Sequence, residues 1–296
     1  MTNRKHFKQL VRARIEKTGE RYAAARRHVI AAGSGATAGG YPFHFPGSVP
    51  AVAAMRSALA AAGVNDPATR QPFTEEMLFG LAGGIGIGVF TFLYEKDDFA
   101  SLFIGGRHLW QDDEVYLKAA FARLGIGVKT WETGSTKAAS EHLKEAVGDG
   151  RPAIAWVDAG LLPHRAVLEA MQGGGYHVVA VHGFSDDGQR VLVGDLADAP
   201  IEIDAESFAT ARAKIKKFKN RLMAIAETRK TIDIDEAIID ALKACHDGLQ
   251  GKGAIGAKKN FTLDALAEWG DQLTAAGKKS WQHVFPRGKR LWTALT

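Results

Sequence analysis

The stretch from Tyr176 to Asp195, YHVVAVHGFSDDGQRVLVGD, constrains this chain more than any other. Two apolar runs, Tyr176–Val181 and Arg190–Val193, flank Ser185-Asp186-Asp187-Gly188, whose composition is that of a tight turn, so the stretch reads as a β-hairpin. Ala153–Val157, Ile201 with Ile203, and Leu222–Ala226 read as further strands. Upstream the pattern is mostly helical: Ala51–Ala62 ending at Gly63, a second helix from Thr74-Glu75 to about Gly80, then 115–124 and 137–147 with a strand at Ile126–Trp131 between them. A helix over Glu206–Lys216 separates the last strands, and helices return after Ile232. Helices followed by an antiparallel sheet predict an α+β domain, not a doubly wound one.

The hairpin carries a geometric prediction. A turn centred between Asp186 and Asp187 sets His177 across from Asp195 or Leu196, within side-chain reach. A carboxylate on one imidazole nitrogen fixes the tautomer and leaves the other as a general base. The same pair also serves as a plain structural bond at a sheet edge. His182 differs from His177 in parity, so it belongs on the opposite face and has the weaker claim.

A His–Asp pair needs a nucleophile to perform acyl transfer or hydrolysis. The chain has one Cys, Cys245, which falls on the apolar face of a C-terminal helix with Ile238 and Leu242 and reads as inert core. Ser48, just before Val49-Pro50 at the start of the first helix, is the remaining candidate. It also suits a helix N-cap, and both roles stay open. One Cys excludes an intramolecular disulfide and a thiolate metal cage, which predicts a reducing, cytoplasmic setting. No cofactor or metal motif is expected. The glycines at 80, 83, 84, 86 and 88 fit neither G-x-G-x-x-G nor a P-loop, and read as close-packing positions.

Charge is unevenly distributed. Residues 1–30 hold nine Lys and Arg against Glu16 and Glu20, a net of +7, while the whole chain is +5. The other 266 residues therefore sum to −2. The segment predicts a basic helical arm (1–30), followed by a Gly-rich linker (31–40). Arg12, Arg14, Arg26 and Arg27 are candidates for phosphate contacts, although no groove-reading pattern accompanies them. No secretory apolar core follows the basic start, and Leu78–Tyr94 is marginal as a membrane span, so no membrane association is expected.

Several blocks in fixed order carry a resemblance. They are Phe45 to Gly63, PFTEEMLFGLAGGIGIG (72–88), SLFIGGRHLW (101–110), RLGI (123–126), PAIAWVD (152–158) with Leu162-Pro163, YHVVAVHGF (176–184), VLVGD (191–195) and KNRL (219–222). Together they resemble the N-terminal domain family of the butirosin biosynthesis H protein. The region from about 230 resembles the domain of unknown function that commonly follows it. The KTGERYAAARRH run of the arm looks like a short module found on varied bacterial proteins. The resemblance implies a papain-like cysteine-peptidase fold over 41–228, with a helical region over 229–296. It also implies an acyltransferase ancestry, in which an aminoacyl chain passes from a carrier-protein thioester to an aminoglycoside amine.

By this resemblance His177 and Asp195 match the family's His and Asp, and the family's His-Cys pair falls on Val49-Pro50. The sequence therefore departs from the family at the nucleophile. The expected function is a degenerate papain-like domain that binds a peptide, an acyl-carrier protein or a small amine. Two alternatives stand beside it: an active acyltransferase or amidase using Ser48, His177 and Asp195, and a nucleic-acid binder acting through the arm.

Overall fold

The computed structural model describes residues 43–97, 99–105, 113–165, 172–173, 175–228, 231–252, 258–278 and 280–285. The basic arm, its linker and Trp292 lie outside these residues. In chain order the helices are α1 (Pro50–Ala61), α2 (Glu75–Leu81), α3 (Asp113–Arg123), α4 (Thr136–Val147), α5 (Ala205–Lys214), α6 (Ile234–Leu249), α7 (Lys258–Phe261), α8 (Leu263–Thr274) and α9 (Trp281–Val284). The strands are β1 (Gly88–Tyr94), β2 (Phe99–Gly105), β3 (Ile126–Trp131), β4 (Ala153–Asp158), β5 (Tyr176–Phe184), β6 (Arg190–Gly194), β7 (Ile201–Asp204) and β8 (Leu222–Thr228). The α+β expectation is borne out.

The chain divides into two compact units that interleave in sequence: 1–75 with 129–225, and 76–128 with 226–296. The first contains a sheet with strand order β3-β8-β4-β5-β6-β7. β4 pairs antiparallel with both β5 and β8, and β5, β6 and β7 continue as an antiparallel meander. Strand alternation sorts the side chains onto two faces. Ala153, Ala155 and Val157 of β4, Val179 and Val181 of β5, and Val191 and Val193 of β6 share one buried cluster with Leu143 and Val147 of α4 and Phe208 and Ala211 of α5. Their neighbours Ile154, Trp156, Val178 and Ala180 are equally buried and face the other way. On that side α1 packs against β4 and β5. Its Ala51, Ala54 and Ala58 allow close approach, while Val52, Met55 and Leu59 are buried to within 1%. Each of these three larger side chains contributes about 1.5–3 kcal/mol by leaving water.

Helix α1 starts where Pro50 permits and ends at Ala61, with Gly63 at φ +71° just past its Ala62 cap. Its N-terminal cap differs from the local Ser cap suggested by sequence. Val49 occupies the cap position and offers no side-chain bond. The Ser48 and Val49 N–H groups both donate instead to Glu75 Oε1, at 2.7 Å each. A carboxylate from 27 residues downstream thus does the work expected of the Ser48 hydroxyl. Gly47 makes room for it, since a Cβ there would meet Glu75 Oε1 at 2.6 Å.

In the second unit β1 and β2 form an antiparallel pair, from Gly88 opposite Gly105 to Tyr94 opposite Phe99. The directly opposed Phe90 and Phe103 rings stack at 4.7 Å. Two glycines of the string serve packing: a Cβ at Gly84 would lie 2.6 Å from the Phe79 carbonyl oxygen, and one at Gly88 would meet Phe261 at 2.9 Å. Gly80 has nothing within 4 Å of such a Cβ, and Gly83 is required by its φ of +73°. Cys245 is buried on α6 at 5% exposure. No described helix is long and apolar enough to cross a membrane.

Candidate functional site

His177 is the second residue of β5 and lies opposite Val157, so alternation assigns it to the α4–α5 side of the sheet. Asp195 follows the end of β6 and continues the alternation of Val191 and Val193 onto the same side. The β5–β6 register has Ala180 opposite Gly194 and Val181 opposite Val193, with a bulge between Val181 and Gly183. Extended by one residue, it puts Asp195 opposite Val179. His177 and Asp195 are therefore diagonal neighbours, and their side chains close the gap. The His177 Nε2–H donates to Asp195 Oδ1 at 2.6 Å.

Asp195 holds more than the expected histidine. Its Oδ1 also accepts the Leu196 N–H at 2.8 Å. Its Oδ2 accepts from His164 Nε2 at 2.7 Å and from Arg165 Nη1 at 3.4 Å. Arg165 Nη1 lies 3.0 Å from His177 Nε2 as well. Because that nitrogen's proton is committed to an ionised carboxylate, the guanidinium proton goes to Oδ2. Burial raises the Asp195 carboxyl pKa, but the bonds from His177 and His164 outweigh it and hold the group well below the usual carboxylate range.

The loop bearing His164 and Arg165 is anchored where it leaves β4. Asp158, fully buried at the strand's end, accepts the Gly160 N–H at 2.7 Å and the Gly173 N–H. Leu162 inserts into the α4–α5 core, and the Arg165 N–H closes a turn on its carbonyl at 3.0 Å. The two polar side chains are thereby presented beside Asp195. Sequence reasoning missed both. Their only signal was a His-Arg pair directly after Leu162-Pro163.

Ser48 is exposed, and its hydroxyl makes no hydrogen bond to His177. It leads into α1, the layer on the other face of the sheet. The structure thus brings His177 and Asp195 together and does not join Ser48 to them. Among the described residues, no hydrogen bond engages His177 Nδ1.

His182 lies on the face opposite His177, as parity requires. Its ring meets His44 edge-on, with centroids 5.8 Å apart. Gly194 leaves space for both, since a Cβ there would sit 2.5 Å from His182 Nε2 and 2.8 Å from His44 Nδ1. The His44 Nε2–H donates to the Ala197 carbonyl at 2.8 Å, tying the segment before α1 to the chain leaving β6. Burial, with His44 adding to it, pushes the His182 pKa down to about 4. Burial also lowers His44, against the bond to Ala197.

The second unit contains a cavity of about 400 Å³ between the end of α3 and the start of α6, lined by Arg123, Asp233, Glu236 and Asp240 among others. Its lining includes no histidine or cysteine, and Arg123 is already paired with Asp240 at 2.7 Å. No group of three or more His, Cys, Asp or Glu among the described residues is placed to hold a metal ion.

An α+β domain with a buried His–Asp pair at the edge of its meander is thus defined. Residues 51–196 match the family model described as Butirosin biosynthesis protein H, N-terminal. The resemblance carried by the sequence blocks is borne out over that segment. Among solved structures, the chain is similar to a crystal structure from Bacillus anthracis described as a C39-like peptidase. That match has a TM-score of 0.39 and 15% identity, and covers 61% of this chain and 90% of the other. No curated protein matches the chain.

Proposed function

We propose that this butirosin-H-like domain has lost covalent acyl transfer and uses the surroundings of His177 and Asp195 as a non-covalent site, for a peptide, a carrier protein or a small amine. The observation that carries this reading is at the start of α1. Val49 and Pro50 stand where the family resemblance calls for His and Cys, and neither can attack a carbonyl. The Ser48 and Val49 N–H groups, the natural donors to an oxyanion there, are already bound to the Glu75 carboxylate. An acyl intermediate formed at this position would meet a fixed negative charge in place of free donors.

The 2.6 Å His177–Asp195 bond favours a second reading, acyl transfer or amide hydrolysis with Ser48 as nucleophile. Partial retention of a triad does not imply activity, because removing one member takes away most of the rate. A fluorophosphonate probe separates the two readings. Non-covalent function predicts no labelling of the native chain. Labelling that disappears in Ser48→Ala and in His177→Ala supports the enzyme.

A further inference from the structure

The direction in which hydrogen-bonding groups face around Asp195 says which ligand the site can hold. Asp195 is the only carboxylate in the cluster with His164, Arg165 and His177, and its side chain is 3% exposed. Its two oxygens already receive four donors: His177, Leu196 N–H, His164 and Arg165. It has no further acceptor capacity for a ligand ammonium. The groups nearer solvent are of the other kind. The Arg165 side chain is 32% exposed and that of His164 is 21% exposed, against 6% for His177.

Arg165 commits only Nη1 to the cluster, so its Nε–H and Nη2 protons carry no bond to the described residues. A guanidinium with one edge held and another free presents paired N–H groups at the spacing of two anion oxygens. The buried Asp195 charge offsets one positive charge. Each imidazole that is protonated adds another, so the outward face runs from neutral to positive and never to negative.

We infer that His164 and Arg165, backed by Asp195 and flanked by His177, form a recognition site for a compact oxyanion, a carboxylate or phosphate group on the ligand. The inference rests on the non-covalent reading and narrows it, excluding a free amine as the group bound here. Arg165 makes the paired contact, and His164 adds a proton donor through Nδ1 when its ring is charged. Asp195 acts as a positioning residue, holding both side chains in place without touching the ligand.

The test follows the imidazole Cε1–H signals of the full-length protein by NMR at pH 6.5 and constant ionic strength. Inorganic phosphate, acetate and ethylammonium are titrated separately. At least one of the two anions is expected to shift the His164 and His177 signals saturably while those of His44 and His182 stay in place, and the stronger of the two names the ligand group. Ethylammonium is expected to shift none of them. Arg165→Gln is expected to raise the apparent Kd at least five-fold. Arg165→Lys, which keeps the charge but not the paired N–H geometry, is expected to weaken binding less. Saturation by ethylammonium, no saturable shift with either anion, or equal affinity in the native and Arg165 variants would overturn the inference. Covalent labelling of Ser48 would instead overturn the non-covalent reading, so the two failures are distinguishable.

Discussion

His177 donates its Nε2 proton to Asp195 at 2.6 Å although the two residues are offset diagonally across β5 and β6. A direct pair would fix both side chains by backbone register alone. The diagonal one depends on Asp195 being held from its other side, by His164 and Arg165. The carboxylate is therefore the centre of a four-residue cluster and not the tail of a simple triad.

Replacing that charge should be costly. Asp195→Asn leaves four donors around a neutral amide that can accept at only one atom, in a position 5% exposed. A loss of about 3 kcal/mol in folding stability is expected, at the lower end for a broken buried ion network. Urea denaturation at pH 7 measures it. The native group's depressed pKa makes its contribution full above the ordinary carboxylate range and progressively lost as pH falls below it. The Asn variant should accordingly show a flatter acid limb.

A different pH window belongs to His182. Its folded pKa of about 4 lies below the ordinary value of 6.5, so the folded state resists a proton that the unfolded chain accepts. The stability this imidazole contributes is complete above pH 6.5 and falls as the pH drops towards 4, by up to about 3 kcal/mol. His182→Asn should remove most of the slope between these limits. An unchanged slope in that variant would show that the titration lies elsewhere.

Glu75 should matter more to α1 than Ser48 does. Glu75→Ala strips the bonds from two N–H groups at once and should cost about 1–2 kcal/mol, whereas Glu75→Gln should retain part of it. Ser48→Ala should change stability by less than about 0.5 kcal/mol, as an exposed residue with no cap bond. Thermal melts of the three variants rank them.

The arm gives a prediction that is independent of the site. If residues 1–30 bind nucleic acid, retention on DNA falls steeply with salt and disappears on truncation, because the contacts are to phosphate. Equal DNA affinity with and without the arm would end that reading.

The legible parts of the fold are those with local periodicity. Val52, Met55 and Leu59 announced α1, and Ser185-Asp186-Asp187-Gly188 announced the turn that joins β5 to β6. The turn also brought His177 and Asp195 into view, although it centres between Asp187 and Gly188, with Gly183 opposite Leu192 and Phe184 opposite Val191, and not between Asp186 and Asp187. The bulge at His182 takes back one residue of that shift, which puts the pair on one face as diagonal neighbours. What stayed hidden is non-local. Glu75 caps a helix that begins 25 residues before it, and a linear reading offered Ser48 instead. His164 and Arg165 sit in a non-periodic loop whose position depends on Asp158 binding a near amide, Gly160, and one 15 residues away, Gly173. The interleaving of the two compact units is invisible to any sequential division, since 76–128 and 226–296 come together only in space.

Loss of covalent acyl transfer can be read from intact-protein mass after incubation with a small acyl thioester. The mass of the native chain and of Ser48→Ala should stay unchanged, even at long times. A single-acyl mass gain that requires both Ser48 and His177 would contradict that loss.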